Sequence, residues 1–283
     1  MKRSFTIYHS PDADDAFMFY GLVSGAVEHP DYEFKHELSD IESLNHRALR
    51  GELEITAVSV HAYGHLQDRY SILSCGASMG ESSYGPRLVA RPDAKFGSGS
   101  NLKIAIPGKY TSAALALQIY CVGQGIKPQI MPIHFDEIIS AIQEGQVDAG
   151  VIIHEGQLTY EKSGLKLLVD FGAWWWDKTG LPLPLGVNVV RKDIGVEAIS
   201  AVAQTLRSSI EHSLAHRKEA LEYALSYGRG ISAEDADQFV GMYVNQRTID
   251  MGEEGRRAIV RFLEEGRRYG LVPPSSGGIE FVE

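Results

Sequence analysis

The fold of this chain is decided by the stretch from Gln129 to His154, which reads QIMPIHFDEIISAIQEGQVDAGVIIH. Short apolar runs in it predict strands, apolar residues at helical spacing predict a helix, and a glycine is a natural place for a helix to stop. The predicted elements are the strand Gln129–Ile133, the helix Asp136–Gln143, the stop at Gly145 and the strand Asp148–Ile153. His154 follows the second strand directly, so the stretch ends on a side chain that can do chemistry.

The same order of elements occurs near the beginning of the chain, although few residues are identical between the two stretches. Its elements are the strand Tyr32–Leu38, the helix Ile41–Arg50, the stop at Gly51 and the strand Glu54–Val60, followed by His61. A further strand, loop and helix precede each stretch: Ser4–Tyr8 and Asp15–Val23 in the first unit, Leu102–Ile106 and Thr111–Cys121 in the second.

The rest of the chain completes the pattern. Lys166–Phe171 and Val187–Val190 are strand-like, whereas Trp174–Gly186 is interpreted as turns and packing because it combines three tryptophans with prolines. Helices are predicted at about Val196–Tyr227, Ala233–Val244 and Glu253–Tyr269.

Alternating strands and helices predict an α/β protein with mostly parallel sheets and helices on both faces. On such sheets ligands bind beyond the carboxyl ends of the strands. Both strand-to-helix loops and both strand-end histidines, His61 and His154, are therefore expected at binding edges. Two such units that face each other would enclose one cleft.

Composition limits the class of protein. The chain has 283 residues, of which 44% are hydrophobic and 23% charged, which is ordinary for a soluble globular protein of about two domains. Its formal net charge is -10, whereas a general nucleic-acid binder needs a basic face. The sequence contains no apolar run long enough to span a membrane, and no export signal at its beginning, so we expect a cytoplasmic protein. Cys75 and Cys121 form no CxxC pair, which fits a reducing compartment.

His154 is the first candidate for catalysis. A neutral imidazole accepts a proton near pH 7, and burial at the floor of a cleft favours that neutral form. The alternative is a buried histidine that only bonds to the backbone. Glu155 would point to the opposite side of an extended strand, so we assign it a structural role.

His61 ends the corresponding strand of the first unit. Ser59 and His61 are two residues apart, so they are expected to share a face and to offer hydrogen bonds to a bound carboxylate. His61 and His65 are four apart, as helical metal ligands are, but the HExxH pattern is absent and Gly64 disfavours a helix, so no metal site is predicted. The segment GASMG (76–80) fits the GxSxG pattern of a hydrolase elbow, but no predicted helix follows it.

Two loops that lead into helices carry opposite chemistry. PGKYTS (107–112) enters a helix at Thr111 or Ser112, where unpaired N–H groups and a partial positive charge suit an anion; plain N-capping by the hydroxyls is compatible with that interpretation. SPDADDAF (10–17) instead carries Asp12, Asp14 and Asp15. These carboxylates either cap the first helix or bind sugar-like hydroxyls, and they would repel an anion.

Seven segments together resemble 1,4-dihydroxy-6-naphthoate synthase, a family of menaquinone-biosynthesis enzymes of the futalosine pathway. They are SPDADDAFMFYGL, EITAVSVHAY, YGPRLVAR, PGKYTSAALAL, VDAGVIIHEGQLTY, WWWDKTGLPLPLGVNVVRKD and MYVNQRTIDMGEEGRRAI. The resemblance extends from about Ser10 to Val260 and implies an α/β, two-lobed fold like that of the type 2 periplasmic-binding proteins, with a cleft between the lobes. On that fold we expect residues 1–100 plus 187–283 to form one lobe and residues 101–186 the other, with the Gly- and Ser-rich stretch Pro92–Asn101 as a surface or crossing loop.

The family's reaction converts cyclic dehypoxanthinyl futalosine to the dihydroxynaphthoate, with loss of a small sugar-derived fragment. The resemblance implies that His154 is the catalytic base and that neither a metal nor a redox cofactor is needed. The candidate substrate-binding residues are Ser59, Val60, His61, Thr111, Ser112, Asp14 and Asn188. Asp14 lies in SPDADDAF where some members read SPCPNDTF, a departure that marks a subgroup with altered substrate contacts.

Two other functions stay open. One is a chorismate dehydratase-like sister enzyme of the same pathway, against which the HEGQLTY segment speaks. The other is a non-catalytic binding protein for a small carboxylate, which would have no need of His154. In each case the expected partner is a small-molecule carboxylate, and neither a nucleic acid nor a membrane is expected.

Overall fold

A computed structural model describes residues 2–97, 101–227, 232–275 and 277–283, so part of the predicted Pro92–Asn101 loop lies outside the described residues. The described strands are β1 (Arg3–His9), β2 (Tyr32–Leu38), β3 (Ile55–Ser59), β4 (Tyr70–Leu73), β5 (Ser78–Gly80), β6 (Arg87–Ala90), β7 (Lys103–Ile106), β8 (Gln129–Pro132), β9 (Ala149–Ile152), β10 (Lys166–Asp170), β11 (Leu183–Arg191) and β12 (Phe281–Val282). The described α-helices are α1 (Ala13–Val23), α2 (Ile41–Leu49), α3 (Val60–Tyr63), α4 (Ser112–Gly123), α5 (Ile138–Gln143), α6 (Gly156–Thr159), α7 (Phe171–Thr179), α8 (Val196–Ala215), α9 (Arg217–Leu225), α10 (Ala233–Tyr243), α11 (Gln246–Ile249) and α12 (Gly252–Arg268).

The first sheet joins the two ends of the chain. Its strand order is β12-β4-β11-β3-β1-β2, and β5 pairs with β11 outside this path. β1 runs parallel to β2 and to β3, as the alternation of strands and helices predicted. β11 lies antiparallel between β3 and β4, and its register places Asn188 opposite Ala57 and Gly186 opposite Ser59. A strand from late in the chain therefore occupies the middle of this sheet.

The second sheet is formed by one continuous part of the chain, with the order β10-β6-β9-β7-β8. β7 runs parallel to β8 and β9, whereas β6 is antiparallel to both β9 and β10. Two strands thus depart from the predicted lobe boundaries: Arg87–Ala90 belongs to the second sheet although it falls within 1–100, and β11 begins at Leu183, within 101–186. β6, like β4 and β5, is short and mostly buried, so it lacks the alternation that identifies a strand. The first residues of β11 were interpreted as turns because prolines occur there.

Helices cover both faces of the sheets. One apolar cluster includes Ile72 and Val189 of the first sheet, Leu88 and Val151 of the second and Phe262 of α12, so a common core joins the two sheets. Helices α1, α8, α9 and α10 contribute to a second cluster on the first sheet, and α5 contributes to a third on the second sheet. Among the described helices, none is long and apolar enough to cross a bilayer.

The tryptophan-rich segment differs from its prediction. Residues predicted as turns form helix α7, which begins after Asp170, whose side chain accepts a hydrogen bond of 3.1 Å from the backbone N–H of Ala173. Trp175 is fully buried and its ring meets Phe262 edge-on at 5.2 Å between centroids. The helix ends at Gly180, which has a φ of 66°. The prolines at positions 182 and 184 obscured it, although both lie after the helix, the first just before the following strand and the second inside it.

The chain passes between the sheets twice, before β6 and after β10, and the two crossings meet at a pair of glycines. A Cβ on Gly172 would lie 2.1 Å from the carbonyl oxygen of Tyr84, and one on Gly85 would lie 2.7 Å from the backbone nitrogen of Gly172. Real Cβ atoms do not approach other atoms so closely, so both positions require glycine. Backbone therefore packs directly on backbone where the chain changes sheets.

Candidate active site

One cavity is lined by residues from both sheets. The loop after β1, the end of β3, the first residues of α4, the segment after β9, strand β11 and helix α10 line it. The centre of a water molecule can reach about 110 Å³ of it, whereas one water needs about 10–15 Å³. The predicted binding edge, beyond the carboxyl ends of strands from both units, is therefore a single cavity with room for an organic ligand.

His154 lies in this cavity directly after β9 and has an unusual backbone. Its φ of 55° is the one positive value at a non-glycine residue in the part of the chain that the structure describes. Such a conformation costs of order 1–3 kcal/mol and is concentrated at functional sites. Its carbonyl oxygen accepts a 3.1 Å hydrogen bond from the backbone N–H of Gln157, which closes the turn into α6. The ring meets Phe135 edge-on at 4.9 Å, and Nε2 lies 3.3 Å from Oδ2 of Asp12.

The loop after β1 brings three carboxylates to the same cavity. The backbone N–H of Ser10 donates to Oδ2 of Asp15 at 3.0 Å, and the Ser10 hydroxyl donates to Asp12. The hydroxyl of Ser78 donates to Oδ2 of Asp14 at 3.4 Å. Asp12 occupies the N-cap position of α1 but makes no capping hydrogen bond with its side chain. Ser78 is the serine of the GASMG segment; it begins a strand and not a helix, so no hydrolase elbow forms.

Two of these carboxyl groups, Asp14 and Asp15, are hard to ionise. Burial raises the pKa of Asp14 well above its usual range, and the charges of Asp15, Asp12 and Glu155 add to that effect. Burial and the neighbouring charge of Asp12 also raise the pKa of Asp15, to about 7, against the opposing effect of its hydrogen bond from Ser10. At neutral pH this wall of the cavity therefore carries less negative charge than its residue types indicate.

The beginning of α4 forms another part of the cavity wall. Thr111, one of the two predicted candidates, is its N-cap: its hydroxyl accepts a 3.2 Å hydrogen bond from the backbone N–H of Ala114 and donates to the carbonyl oxygen of Gly108 at 2.9 Å. The Ser112 hydroxyl donates to the carbonyl oxygen of Leu185 at 2.6 Å, so both hydroxyls have partners within the protein. The backbone N–H groups of Ser112 and Ala113, in the first turn of the helix, remain for a ligand.

Ser59 reaches the cavity, whereas its two successors do not. Asn45 holds Ser59 by accepting from its backbone N–H at 2.8 Å and donating to its hydroxyl at 3.0 Å. After Ser59 the chain turns into the short helix α3, so the alternation of an extended strand ends there and the expected shared face of Ser59 and His61 does not exist. Val60 is fully buried, and neither it nor His61 lines the cavity.

His61 instead connects secondary-structure elements. Its Nδ1 lies 3.2 Å from the carbonyl oxygen of Thr111 and its Nε2 lies 3.4 Å from that of Leu271. Burial lowers its pKa to about 4, so the ring is neutral at physiological pH. Both ring nitrogens face backbone carbonyl oxygens, and because a neutral imidazole carries a single N–H, it donates to only one of them. No cluster of three or more His, Cys, Asp or Glu in the described ranges is arranged to hold a metal ion.

Asn188 lines the cavity from the middle of β11. Its Nδ2 donates to the carbonyl oxygen of Gly76 at 2.9 Å, while Oδ1 has no partner among the described residues although the residue is only 1% exposed. An unpaired buried acceptor is costly, so this oxygen is well suited to a donor on a ligand.

Sequence reasoning missed Gln157 and Tyr243, which also line the cavity and are hydrogen-bonded to each other at 2.9 Å. Gln157 lies close to His154 along the chain, but Tyr243 comes from the distant helix α10. The only available signal was its place in the segment MYVNQRTIDMGEEGRRAI, which supported the family resemblance without indicating any chemistry.

Known proteins resemble this chain along nearly its whole length. Residues 5–268 match the family described as menaquinone biosynthesis. The 1,4-dihydroxy-6-naphthoate synthase of Thermus thermophilus is 41% identical, in an alignment that covers 94% of this chain and 95% of that protein. A solved structure of a protein from Archaeoglobus fulgidus is also 41% identical, with a TM-score of 0.88, and the match covers 95% of this chain and 98% of that one.

More distant structures identify the fold. A Candida albicans protein described as having the generic periplasmic-binding-protein fold matches with a TM-score of 0.72 at 14% identity, over 96% of this chain and 92% of that chain. At that identity the likeness concerns the fold alone, and it confirms the predicted fold class. The family match and the relative at 41% identity therefore show that the chain belongs to the menaquinone biosynthesis family and is an enzyme of that pathway related to the 1,4-dihydroxy-6-naphthoate synthases.

Proposed function

We propose that this enzyme is a carbon–carbon lyase that converts cyclic dehypoxanthinyl futalosine to 1,4-dihydroxy-6-naphthoate, with His154 as its general base. The observation that supports this most directly is the position of the His154 imidazole, which shares one cavity with the first-turn N–H groups of α4. The Thermus thermophilus relative carries the name of this synthase at 41% identity. A base and an anion-binding helix start are the two groups that the reaction needs.

The substrate's carboxylate would bind at the beginning of α4. Ser112 and Ala113 line the cavity and lie in the first turn of α4, where unpaired backbone N–H groups and the partial positive charge of a helix N-terminus favour an anion. No lysine or arginine is found among the described residues that line the cavity, so no side-chain cation competes for this role. Thr111 and Ser112 then act by shaping the helix start, since their hydroxyls already have partners.

The remainder of the substrate would lie along the acidic wall. Its sugar-derived part carries hydroxyl groups, which can donate to the carboxyl oxygens of Asp14 and to the unpaired Oδ1 of Asn188. A cavity with anion donors on one side and acceptors on the other gives a substrate with one acidic and one polyol end a single orientation. Orientation of this kind is a large part of catalysis.

In the reaction, His154 would remove the proton of a hydroxyl in the sugar-derived part and start an elimination that breaks a carbon–carbon bond. The electrons of the O–H bond form a carbonyl in the fragment that leaves, and the electrons of the broken carbon–carbon bond pass into the ring that becomes aromatic. The gain of aromaticity drives the reaction, so the chain's own residues need only position the base and keep water away from it.

The test is incubation with cyclic dehypoxanthinyl futalosine while the absorbance of the naphthoate product is followed. His154→Ala should lower kcat by roughly 10²–10⁴-fold, because general base catalysis is lost. The matched control is His216→Ala, an exposed histidine between α8 and α9. Turnover of chorismate in place of this substrate, or thermal stabilisation by a carboxylate without any turnover, would contradict the proposal in favour of the sister enzyme or of a binding protein.

A further inference from the structure

The contact between His154 and Asp12 distinguishes the two nitrogens of the imidazole. Nε2 is buried and lies 3.3 Å from Oδ2 of Asp12, which is itself 5% exposed. A neutral imidazole has one nitrogen that donates and one that accepts, and a carboxylate can only accept. A carboxylate beside Nε2 therefore favours the tautomer that carries its proton on Nε2, which leaves the lone pair of Nδ1 for a ligand.

We propose that Asp12 is a positioning residue that holds His154 in the Nε2–H tautomer, so that Nδ1 is the atom that takes the substrate's proton. The inference rests on the proposed role of His154 as the base. In the proton transfer the substrate loses H⁺ to Nδ1, Nε2 keeps its own proton, and the imidazolium so formed lies against the carboxylate of Asp12. A base oriented by a third group in this way is a recurrent arrangement in enzymes.

The conformation of Asp12 supports this role. Aspartate at an N-cap ordinarily accepts a hydrogen bond from the helix's own backbone, and Asp12 does not. Instead, the Ser10 hydroxyl accepts from the backbone N–H of Asp12 at 3.2 Å and donates to its carboxylate. Ser10 thus turns the carboxylate away from the helix that it begins and towards the histidine.

No other carboxylate in the described part of the chain comes within ion-pair distance of this imidazole. The other titratable side chains that line the cavity are Asp14, Asp15 and Tyr243, and Glu155 follows His154 along the chain. Nε2 makes no well-aligned hydrogen bond to a described residue, so the 3.3 Å contact is still loose. Catalytic hydrogen bonds are often long before substrate binds and tighten in the complex.

The decisive measurement is the tautomer of His154 in the substrate-free protein, from the ¹⁵N shifts and long-range couplings of the labelled ring, assigned with His154→Ala. We expect a protonated Nε2 and an unprotonated Nδ1 at pH 8. A proton found on Nδ1 would overturn the proposal. Because this readout needs neither substrate nor a variant of Asp12, it is independent of whether the lyase activity is found.

Kinetic measurements on a variant of Asp12 provide a second test. In Asp12→Asn the amide can donate to Nε2 and so favour the wrong tautomer; we expect kcat to fall by roughly 10²–10⁴-fold with a much smaller change in KM. The acidic limb of kcat/KM should move to lower pH, because the charge that stabilises the imidazolium is lost. The control Asp68→Asn changes an exposed aspartate and should leave both unchanged. An unaltered tautomer and pH profile in folded Asp12→Asn would show that the carboxylate is merely structural, and would leave the role of His154 as the base intact.

Discussion

Helices α1 and α4 begin at the same cavity and present opposite chemistry to it. The first turn of α1 contains Asp14 and Asp15 and follows Asp12, so carboxyl side chains surround the positive end of this helix. The first turn of α4 contains no acidic residue, and its N-cap is a hydroxyl. If the proposed function is right, the same backbone feature serves as a site for donors in α1 and as a site for an anion in α4.

The difference shows that a helix start does not by itself decide what binds there. The backbone N–H groups and the dipole are common to both helices, but the residues of the first turn determine whether that positive end is available. Since both helix starts line one cavity, we expect the contrast to favour one orientation of a bound polar substrate. Substitutions in the first turn of α1 and in the first turn of α4 should therefore have different effects.

The largest effect is expected from removing an N–H at α4. Ser112→Pro deletes the donor at the first helical position, where proline is tolerated, and Thr111 before it is already extended, with a ψ of 147°. A hydrogen bond to a charged group contributes about 1.5–3 kcal/mol, so KM for the carboxylate substrate should rise about 10–100-fold. The measurement is steady-state kinetics.

Ser112→Ala is the matched control, because it loses the same hydroxyl but keeps the N–H. Its KM should stay much closer to that of the parent, while its stability falls by about 1 kcal/mol through loss of the hydrogen bond to Leu185. Equal KM values for the two variants would place the anion elsewhere and remove the contrast between the helices.

The next effect concerns stability at α1 and depends on pH. The pKa of Asp15 is raised to about 7 in the folded protein by burial and by the charge of Asp12. The unfolded chain loses this proton near pH 4, so between pH 4 and 7 the folded state binds more protons and its stability falls as pH rises. Above pH 7 the loss is complete.

Asp15→Asn removes that loss. It should raise the free energy of unfolding by about 2 kcal/mol at pH 8, about half of what three pKa units represent, since the carboxyl keeps some exposure to the cavity. At pH 4 the gain should vanish. Chemical denaturation at both pH values measures it; a gain that is the same at pH 4 and pH 8 would mean that Asp15 does not titrate as described.

The smallest expected effect is on stability, and it concerns the different bonding of the two N-cap residues, Asp12 and Thr111. Thr111 caps α4 with its hydroxyl, whereas Asp12 makes no such bond to α1. Thr111→Val keeps the shape and loses the cap, so the free energy of unfolding should fall by about 1 kcal/mol, while Thr111→Ser should retain most of it. A stable valine variant would show that packing of the helix start, and not the cap, holds the first turn in place.

Much of the fold could be predicted from local patterns. The strands and helices around Gln129–His154 and their counterparts in the first unit were identified correctly, because period and glycine stops are local properties. The strands β4, β5 and β6 were not, since short buried runs carry no period. The predicted single helix Val196–Tyr227 is two helices that meet at His216, where the backbone leaves the helical region.

Some residues of the site could also be predicted and others could not, because only local patterns can be identified in a sequence. The strand-to-helix loops directly indicated Thr111, Ser112 and His154 as candidates, and all three line one cavity in the structure. His61 was expected beside them because an extended strand was assumed to continue through it, but the chain turns at Val60. The contact between Asp12 and His154 joins residues far apart in sequence, and no local pattern encodes it.

The position of β11 in the middle of the first sheet also affects how the chain folds as it leaves the ribosome. N-terminal parts emerge first, and every strand of the second sheet lies between residues 87 and 170. The second sheet can therefore form before β11, the strand that pairs with both β3 and β4, has been synthesised. During that interval the unpaired edges of β3 and β4 are open to the wrong partner, so nascent chains that stop short of Leu183 should be the most prone to aggregate.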